Sequence, residues 1–506
     1  MEKGIINANL YRLAYELSFA DRGGVLKRKR GLYHLIYTDL KVQILGERWE
    51  YGSRLPSADQ LALQYYVGKW TIRKALELLQ NDGLIRTEER RRAVVLYQSP
   101  YESQQIPVRR VLRQRSDILG VYQTMELLMP DILALCSRSA RVYELEHFEP
   151  IIRWSKRPKK SGRWRLTSGL IHDLLQASGN SLFLSVYGSL EFYAEVPFVV
   201  DHQYSLTSYN IITANLTPIQ ILEKLQADHR TVRRNFAEYY HAIHLSVQHV
   251  FDKLTERFPH IDDSEKNTFT WEFGLDRLYR KISRDLIEKI ILGIYSVESW
   301  LPSEAKLAKE YGVSIFTIRQ ALRLLSLLGF IQTVHGKGSK ILSLEYHHVP
   351  QLNHHEEYRM EFLQYLSGLQ LMAIAVRAAV PLAFSHIHAN EGEELRERMK
   401  QQNATPLKIL TDCVIEGISL YPLRQILEKT REIIGWGYYY AIYIESSQST
   451  FHLNLRCEEA LSCIKNGNQK GFADCLFDCY CCLFQTVRDF LVGQKISGIG
   501  HLKIPD

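Results

Sequence analysis

The stretch Leu301-Pro302-Ser303-Glu304-Ala305-Lys306-Leu307-Ala308-Lys309-Glu310-Tyr311-Gly312-Val313-Ser314-Ile315-Phe316-Thr317-Ile318-Arg319-Gln320-Ala321-Leu322 decides the fold. Proline fixes φ and resets the chain, and Ser303 is placed to cap a helix that runs to Tyr311. Gly312-Val313-Ser314 is a tight turn. Ser314 caps a second helix that runs to Leu328, and Gly329 suits the left-handed residue that ends it. The hairpin that follows carries His335-Gly336-Lys337-Gly338-Ser339 at its tip, the glycine-rich and basic composition of a wing laid against a sugar-phosphate backbone. The pattern occurs twice. Leu32 to Thr87 aligns without a gap on Leu278 to Thr333, at the constant offset of 246 residues that separates Leu55 from Leu301. Matched residues include Tyr33/Tyr279, Asp39/Asp285, Leu61-Ala62/Leu307-Ala308, Thr71-Ile72-Arg73/Thr317-Ile318-Arg319 and Gly83/Gly329. Self-similarity of this kind implies two homologous halves.

In the first copy, Leu32 to Leu45 places apolar residues at helical spacing, Ser57 to Tyr65 reads as a second helix, and Lys69 to Asp82 as a third ending at Gly83. Leu84 to Thr87 and Ala93 to Leu96 read as two short antiparallel strands, with Glu88-Glu89-Arg90-Arg91-Arg92 between them. Three helices and a hairpin make a winged helix-turn-helix. A helix entering the major groove needs small or polar residues near its start and basic or amide side chains on its exposed face. The first copy offers Ser57, Lys69, Thr71, Arg73 and Lys74, with Arg91 on its hairpin. The second offers Ser303, Ser314, Thr317, Arg319 and Gln320, with His335, Gly336, Lys337 and Gly338 on its wing.

Each module is followed by a long segment of helical periodicity, as in Leu216 to Leu254, Leu420 to Gly435 and Cys457 to Val492. Ser181/Ser419 and Leu225/Ile464 open or occupy similar stretches, so these segments are read as related too. The expected fold is mainly α, with tandem winged helix-turn-helix domains alternating with all-helical bundles. The expected divisions are a lead-in over 1–30, a winged domain over 31–98, a helical domain over 101–260 and a polar, acidic connector over 261–275. A second winged domain over 276–344, a second helical domain over 350–494 and a tail over 495–506 complete the chain.

At 506 residues the chain exceeds the roughly 250 to 300 at which a single core stops growing, which requires several domains. Hydrophobic residues at 46% with 24% charged residues are the ordinary composition of a soluble globular protein. No apolar run reaches the roughly 18 residues needed to cross a bilayer, and no signal-peptide core follows Met1, so a cytoplasmic protein without a membrane partner is expected. Eight cysteines are too sparse for a disulfide framework and imply reduced thiols. The net charge of +7 is unevenly placed, with basic runs at Lys27 to Arg30, Arg90 to Arg92, Arg109-Arg110 and Arg153 to Arg165 that would attract phosphate. No nucleophile elbow, P-loop or dinucleotide fingerprint supports an enzyme.

Taken with Leu325, Gly329-Phe330-Ile331 and Gly336-Lys337-Gly338-Ser339, the opening stretch resembles the GntR family of bacterial transcription regulators. The first copy resembles it along the core and lacks the wing signature. The family usually has an arginine directly after the turn serine that contacts bases; here stand Ile315 and Lys69. Ala58 and Gly68 likewise replace a glutamate and a serine.

The resemblance implies a sequence-specific regulator, more often a repressor, that binds a double-stranded DNA operator and responds to a small molecule held in a helical domain. It also implies a homodimer, or here an internal pseudo-dimer. The helical segments are more similar to the all-helical FCD-type effector class. His172-Asp173-Leu174-Leu175-Gln176-Ala177-Ser178-Gly179-Asn180 resembles a phrase of that class in which the histidine ligates a metal. The aspartate four residues earlier is Ser168 here, His241 or His244 would have to supply a last ligand, and Leu410 matches His172 in the second half. A divalent metal needs three or four converging ligands, so none is expected and His172 is read as a partly buried structural histidine. His172, Asn180, His244 and Tyr439, the last in the aromatic patch Trp436 to Tyr443, are the candidate effector residues. Cys475, Cys479 and Cys482, on one helical face, are read as core. The rival reading is a protein-interaction scaffold whose winged helices serve assembly.

Overall fold

The computed structural model describes single positions between 33 and 49, then 51–64, 69–87, 91–97, 111–156, 163–199, 217–271, 278–291, 293–342, 356–387, positions 395 and 397, 406–435 and 447–505. These residues form two compact units.

The first unit begins with the first winged module. Tyr33, Ile36, Tyr37, Leu40, Lys41 and Ile44 are helical, and Ile36, Leu40 and Ile44 are buried at the spacing of one helix face. Helix α1 (Ala58–Gln64) and α2 (Lys69–Asn81) follow, then the strands β1 (Ile85–Arg86) and β2 (Val94–Val95), paired antiparallel with Ile85 opposite Val95. Ile36, Leu40, Ile44, Leu55, Leu61, Ile72, Ala75, Leu79, Ile85 and Val95 make one core.

The helical body of this unit comprises α3 (Arg115–Ser137), α4 (Phe148–Ser155), α5 (Arg163–Ala177), α6 (Ser181–Val199), α7 (Pro218–Leu225) and α8 (His229–Arg257). The long helices α3 and α8 pack along one another, antiparallel. Arg115 Nη1 donates to Thr255 Oγ1 at 2.8 Å, and Asp131 pairs with Arg233 at 2.6 Å. The single run predicted over Leu216 to Leu254 is broken at 226–228. Thr217 and Gln220 form a capping box on α7, and the Asp228 carboxylate accepts from the backbone N–H groups of Arg230 and Thr231 to start α8.

The predicted connector is a correction. Residues 263–271 are fastened to this helical body. The Asp117 carboxylate, buried on α3, accepts from the backbone N–H groups of Asn267 and Thr268 and from the Thr268 hydroxyl, and Gln114 donates to Glu265 at 2.8 Å. Phe269 and Trp271 are buried, and the Trp271 indole donates to Ser185 Oγ at 3.0 Å. Polarity suggested a linker, but those polar groups are the anchors. The unit also includes 419–429 and 501–505. Leu420 and Pro422 lie against Gly120, and Arg138 donates to the Ile504 carbonyl at 3.0 Å.

The second unit opens with α9 (Leu278–Ile291), α10 (Glu304–Tyr311) and α11 (Ile315–Leu327), then β3 (Ile331–Val334) paired with β4 (Gly338–Ile341). Its core repeats that of the first module position by position, with Ile282, Leu286, Ile290, Leu301, Leu307, Ile318, Ala321, Leu325, Ile331 and Ile341. Its helical body contains α12 (Glu356–Ala383), α13 (Pro406–Glu416), α14 (Tyr421–Ile434, from Thr430 onward), α15 (Ser447–Lys465) and α16 (Gln469–Gly493). Here too the first and last long helices pack along one another. Both opening helices carry an interior proline, Pro130 and Pro381, and both closing helices begin on a side-chain cap, Asp228 and Asn468. The run predicted over Cys457 to Val492 divides at Gly467, whose φ is 65°. Cys475 and Cys479 are buried and Cys482 half-buried, and burial pushes the Cys475 thiol up to about 12.

A second correction concerns hydrophobicity. Arg115–Ser137 and Phe362–His386 are long and apolar enough to cross a membrane by length and composition, although no such run was read in the sequence. Both are largely buried inside the fold, as the central helices of bundles are.

Candidate nucleic-acid interface

The two modules share several of their hydrogen bonds. Ser57 Oγ accepts from the Gln60 N–H at 3.2 Å while Gln60 Oε1 accepts from the Ser57 N–H at 2.9 Å, a reciprocal cap on α1. Ser303 Oγ caps α10 through the Lys306 N–H at 3.3 Å. Gly312, at φ 64°, closes α10, and Ser314 Oγ accepts from the Thr317 N–H at 3.2 Å to open α11. Gly83 and Gly329 end α2 and α11 at φ 71° and 73°. Gly52 N–H donates to the Val95 carbonyl at 2.9 Å, and its counterpart Glu298 N–H to the Ile341 carbonyl at 3.0 Å. Arg54 forms an isolated antiparallel bridge with Val94, just as Trp300 does with Lys340, beside each two-stranded wing.

Helix α11 turns Ile318, Ala321, Leu322 and Leu325 into the core and leaves Phe316, Arg319 and Arg323 exposed, with Gln320 half-buried. The equivalent stripe on α2 is Trp70, Arg73, Lys74 and Glu77. Such stripes at i, i+3, i+4 and i+7 face one way. In α2, Lys74 pairs with Glu77 at 2.9 Å, and Lys69 pairs with Asp59 at 2.6 Å. In α11, Arg319 Nε donates to Glu304 Oε2 at 2.7 Å, an acid whose counterpart in the first module is Ala58. Thr317 Oγ1 lies 2.8 Å from Ser314 Oγ.

The second wing is a four-residue ladder whose tip holds His335 and Lys337 exposed, with Gly336 at φ 74° and Gly338 at φ 115°. The first wing has two-residue strands and an exposed Arg91. Glu88, Glu89, Arg90 and the Thr71 side chain lie outside the described residues.

Different polar groups brace the modules. In the first, Lys41 pairs with Asp82 at 2.6 Å and donates to Tyr37 at 2.8 Å, and the Tyr37 hydroxyl donates to Asp82 at 2.5 Å. The Lys41 bond, then that of Tyr37, holds the Asp82 carboxyl below its ordinary range. In the second, Lys289 meets Asp285 at 3.0 Å, Glu310 at 2.9 Å and the Tyr311 hydroxyl at 3.0 Å. Burial alone would lower the Lys289 ammonium, but the bonds to Tyr311, Glu310 and Asp285 outweigh it and raise it well above its ordinary value.

The candidate effector residues do not converge. His172 Nε2 lies 2.9 Å from Glu191 Oε2, and its ring meets Tyr187 edge-on at 5.2 Å. Asp173 beside it accepts from the His147 backbone N–H at 2.7 Å. Asn180 Oδ1 accepts from the Leu182 N–H at 2.9 Å as the cap of α6. His244 Nδ1 is held 2.6 Å from Glu126 on α3, which also meets His241 at 2.7 Å. Tyr439 lies outside the described residues. Among the described residues, no group of three or more His, Cys, Asp and Glu side chains is arranged to hold a metal ion. Sequence reasoning missed Glu191. This carboxylate is buried on α6, accepts from Ser168 and from the Tyr187 hydroxyl at 3.1 Å, and meets His172. Its signal was an acid, one of two with Glu195, in the apolar stretch Ser181–Val199. Burial, then the Glu191 charge, raises the Tyr187 phenol well above its ordinary value; burial likewise raises that of Tyr240, whose buried hydroxyl has no hydrogen-bond partner among the described residues.

Residues 32–95 and 278–341, the two modules just described, each match the bacterial regulatory proteins of the gntR family. Both modules are gntR-family winged domains. The HTH-type transcriptional regulator TreR of Bacillus subtilis is 42% identical over 64 residues, which are 13% of this chain and 27% of TreR. The Exu regulon transcriptional regulator of Escherichia coli K12 is 33% identical over 89 residues, 18% of this chain and 33% of that protein. The chain thus spans about a quarter to a third of the length of these relatives. A solved Streptococcus agalactiae GntR aligns with 41% of this chain and 99% of its own at 15% identity, with a TM-score of 0.19. The gntR match is tandem and falls on the winged modules; the FCD-like resemblance of the helical bodies has no counterpart in it.

Proposed function

We propose that the chain is a DNA-binding transcription regulator of the cytoplasm whose two heads, on one polypeptide, engage two unequal half-sites of an operator. One observation carries this reading: a helix with an exposed, partly basic stripe, ended by a left-handed glycine, occurs twice at a fixed offset, each time beside a hairpin wing. Helix start and stripe are what major-groove reading requires, and the wing supplies phosphate contacts. Occlusion of a promoter is the proposed output, with the heads at 31–98 and 276–344 and a helical body after each, alone or in a homodimer.

A small-molecule effector is proposed in the first helical body, beside Glu191, His172, Tyr187 and Tyr240. The unpartnered Tyr240 hydroxyl supports this, since a buried polar group without a partner costs about 1 to 3 kcal/mol that a ligand would restore. In the second body the position of His172 is the buried Leu410, so the two bodies are unequal here as well. Coupling of about 1 to 3 kcal/mol would change occupancy about 5- to 150-fold.

Selection of bound duplexes from a random DNA pool tests the reading, with binding of the winner followed against salt. A bipartite motif whose affinity falls steeply with salt supports it. The exposed Trp70, Ile315 and Phe316 favour the rival scaffold reading, which predicts no bound duplex at low salt.

A further inference from the structure

Ile315 and Phe316 are the first two residues of α11, the end that a helix entering the major groove presents to bases. Phe316 is 70% exposed and Ile315 43%. At the same place on α2, Trp70 is 69% exposed. Scattered exposed apolar side chains are ordinary on any protein surface. A large aromatic at the same register of two copies, with an isoleucine beside it in one, is not scattered. Leaving these groups in water forfeits the gain of burial, and nothing in the capping of α11 requires them, since Ser314 and Thr317 supply it.

We propose that Ile315 and Phe316 read the 5-methyl groups of thymines in the half-site bound by the second head. The proposal rests on the DNA-binding reading above and deepens it. Among the base edges in the major groove, the thymine methyl is the apolar feature; guanine offers only acceptors there. Ile315 has no donor for those acceptors and would leave them desolvated and unpaired. A methyl group against Ile315 and the Phe316 ring leaves nothing unpaired. Arg319, one turn further along the same stripe, and Lys306 and Lys337, both exposed, supply positive charge around this apolar tip. Selectivity then comes from apolar contact and affinity from the cations, two contributions that respond differently to salt.

The test uses the full-length protein and the duplex recovered by selection. Each thymine of the half-site whose protection is lost in Arg319→Ala is replaced by deoxyuridine, which removes the methyl group and no hydrogen-bonding atom. Binding should weaken about 3- to 5-fold for each contacted thymine, the change expected from burying one methyl group, with the salt slope unchanged. In a protein carrying Ile315→Ala and Phe316→Ala the same replacement should have no further effect. Selection with Ile315→Arg should replace thymine by guanine at the contacted position. Both side chains are exposed, so these variants keep the fold. Equal binding of the deoxyuridine duplex, or an equal loss in the double variant, overturns the proposal and leaves the DNA-binding reading standing. No binding of any duplex at low salt overturns both. A Phe316→Ala change that abolishes self-association with duplex affinity unchanged assigns the pair to a protein contact and overturns the proposal alone.

Discussion

The two winged modules share a core, wing bridges and much of their backbone hydrogen bonding, and differ in several groups of the exposed stripe. The Ser57/Ser303 cap, the Gly83/Gly329 helix ends, wing bridges and core positions recur at the 246-residue offset, whereas among the groups that would meet a ligand Thr71/Thr317 and Arg73/Arg319 recur and their neighbours do not. Lys69, Trp70, Lys74 and Glu77 stand where the second module has Ile315, Phe316, Gln320 and Arg323. The lesson is that packing and capping constrain one set of positions while the exposed stripe is free to change. Two heads with one scaffold and different faces suit two different half-sites.

The sharpest way to break this comparison is at the shared arginine. Arg319→Ala and Arg73→Ala should each lower duplex affinity by about 1 to 3 kcal/mol, the cost of a lost base contact. Arg319 has an exposed pair with Glu304 worth under about 1 kcal/mol, so its variant stays folded and the binding change reads the DNA contact. Titration of labelled duplex measures both, and an unchanged affinity in Arg73→Ala would leave the first head without a reading role.

The modules are also braced in different places, which stability measurements resolve. Lys289→Met removes the ammonium shared by Asp285, Glu310 and Tyr311, and should cost the second module about 1 to 2 kcal/mol in denaturant unfolding. The Lys289 pKa is raised on folding. Its contribution is therefore complete below the unfolded value near 10.5 and is lost as pH rises through the higher folded value. The Lys289→Met variant should flatten that alkaline loss.

Asp82 gives the first module the opposite sign. Its folded pKa is depressed, so its contribution is present above the unfolded value near 3.8 and disappears as pH falls through the lower folded value. The pair with Lys41 is a surface one, and Asp82→Asn should cost under about 1 kcal/mol at neutral pH and nothing further in acid. Unfolding followed between neutral pH and strong acid checks this, and an equal acid loss in the variant would remove Asp82 from the account.

The modules were legible in the sequence because their signals are local. Ser303, Gly312, Ser314 and Gly329 specify caps and turns within a few residues of themselves, and the repeat shows two of them again as Ser57 and Gly83. The thiols at Cys475 and Cys479 were legible as core for the same reason, through spacing on one helix. What was not legible depends on partners far along the chain. Asp117 makes an anchor of 263–271 across about 150 residues, so polar residues that read as a connector became fastenings. Glu191 gathers Ser168, His172 and Tyr187 from two helices, and no spacing rule joins them. His172 and His244, grouped in sequence as effector candidates, meet different carboxylates because α5 and α8 present them to α6 and α3 respectively.

The smallest difference between the modules offers the cleanest internal control. Position 52 of the first and 298 of the second share a left-handed backbone, at φ 79° and 66°, and the same ladder bond to β2 or β4. Glycine occupies it in one copy and glutamate in the other. A side chain there costs about 1 kcal/mol relative to glycine, partly offset because glycine loses more freedom on folding. Glu298 recovers some of that cost by pairing with Lys340 on the wing, but both groups are well exposed. Glu298→Gly should therefore stabilise the second module by a few tenths to about 0.5 kcal/mol, and Gly52→Glu should destabilise the first by a similar or larger amount, since Val94 stands where Lys340 does and offers no cation. Thermal unfolding of the two variants checks the pair of signs. Destabilisation by Glu298→Gly would mean that the exposed pair with Lys340 outweighs the backbone strain, and that the two copies have settled one turn by different physical means.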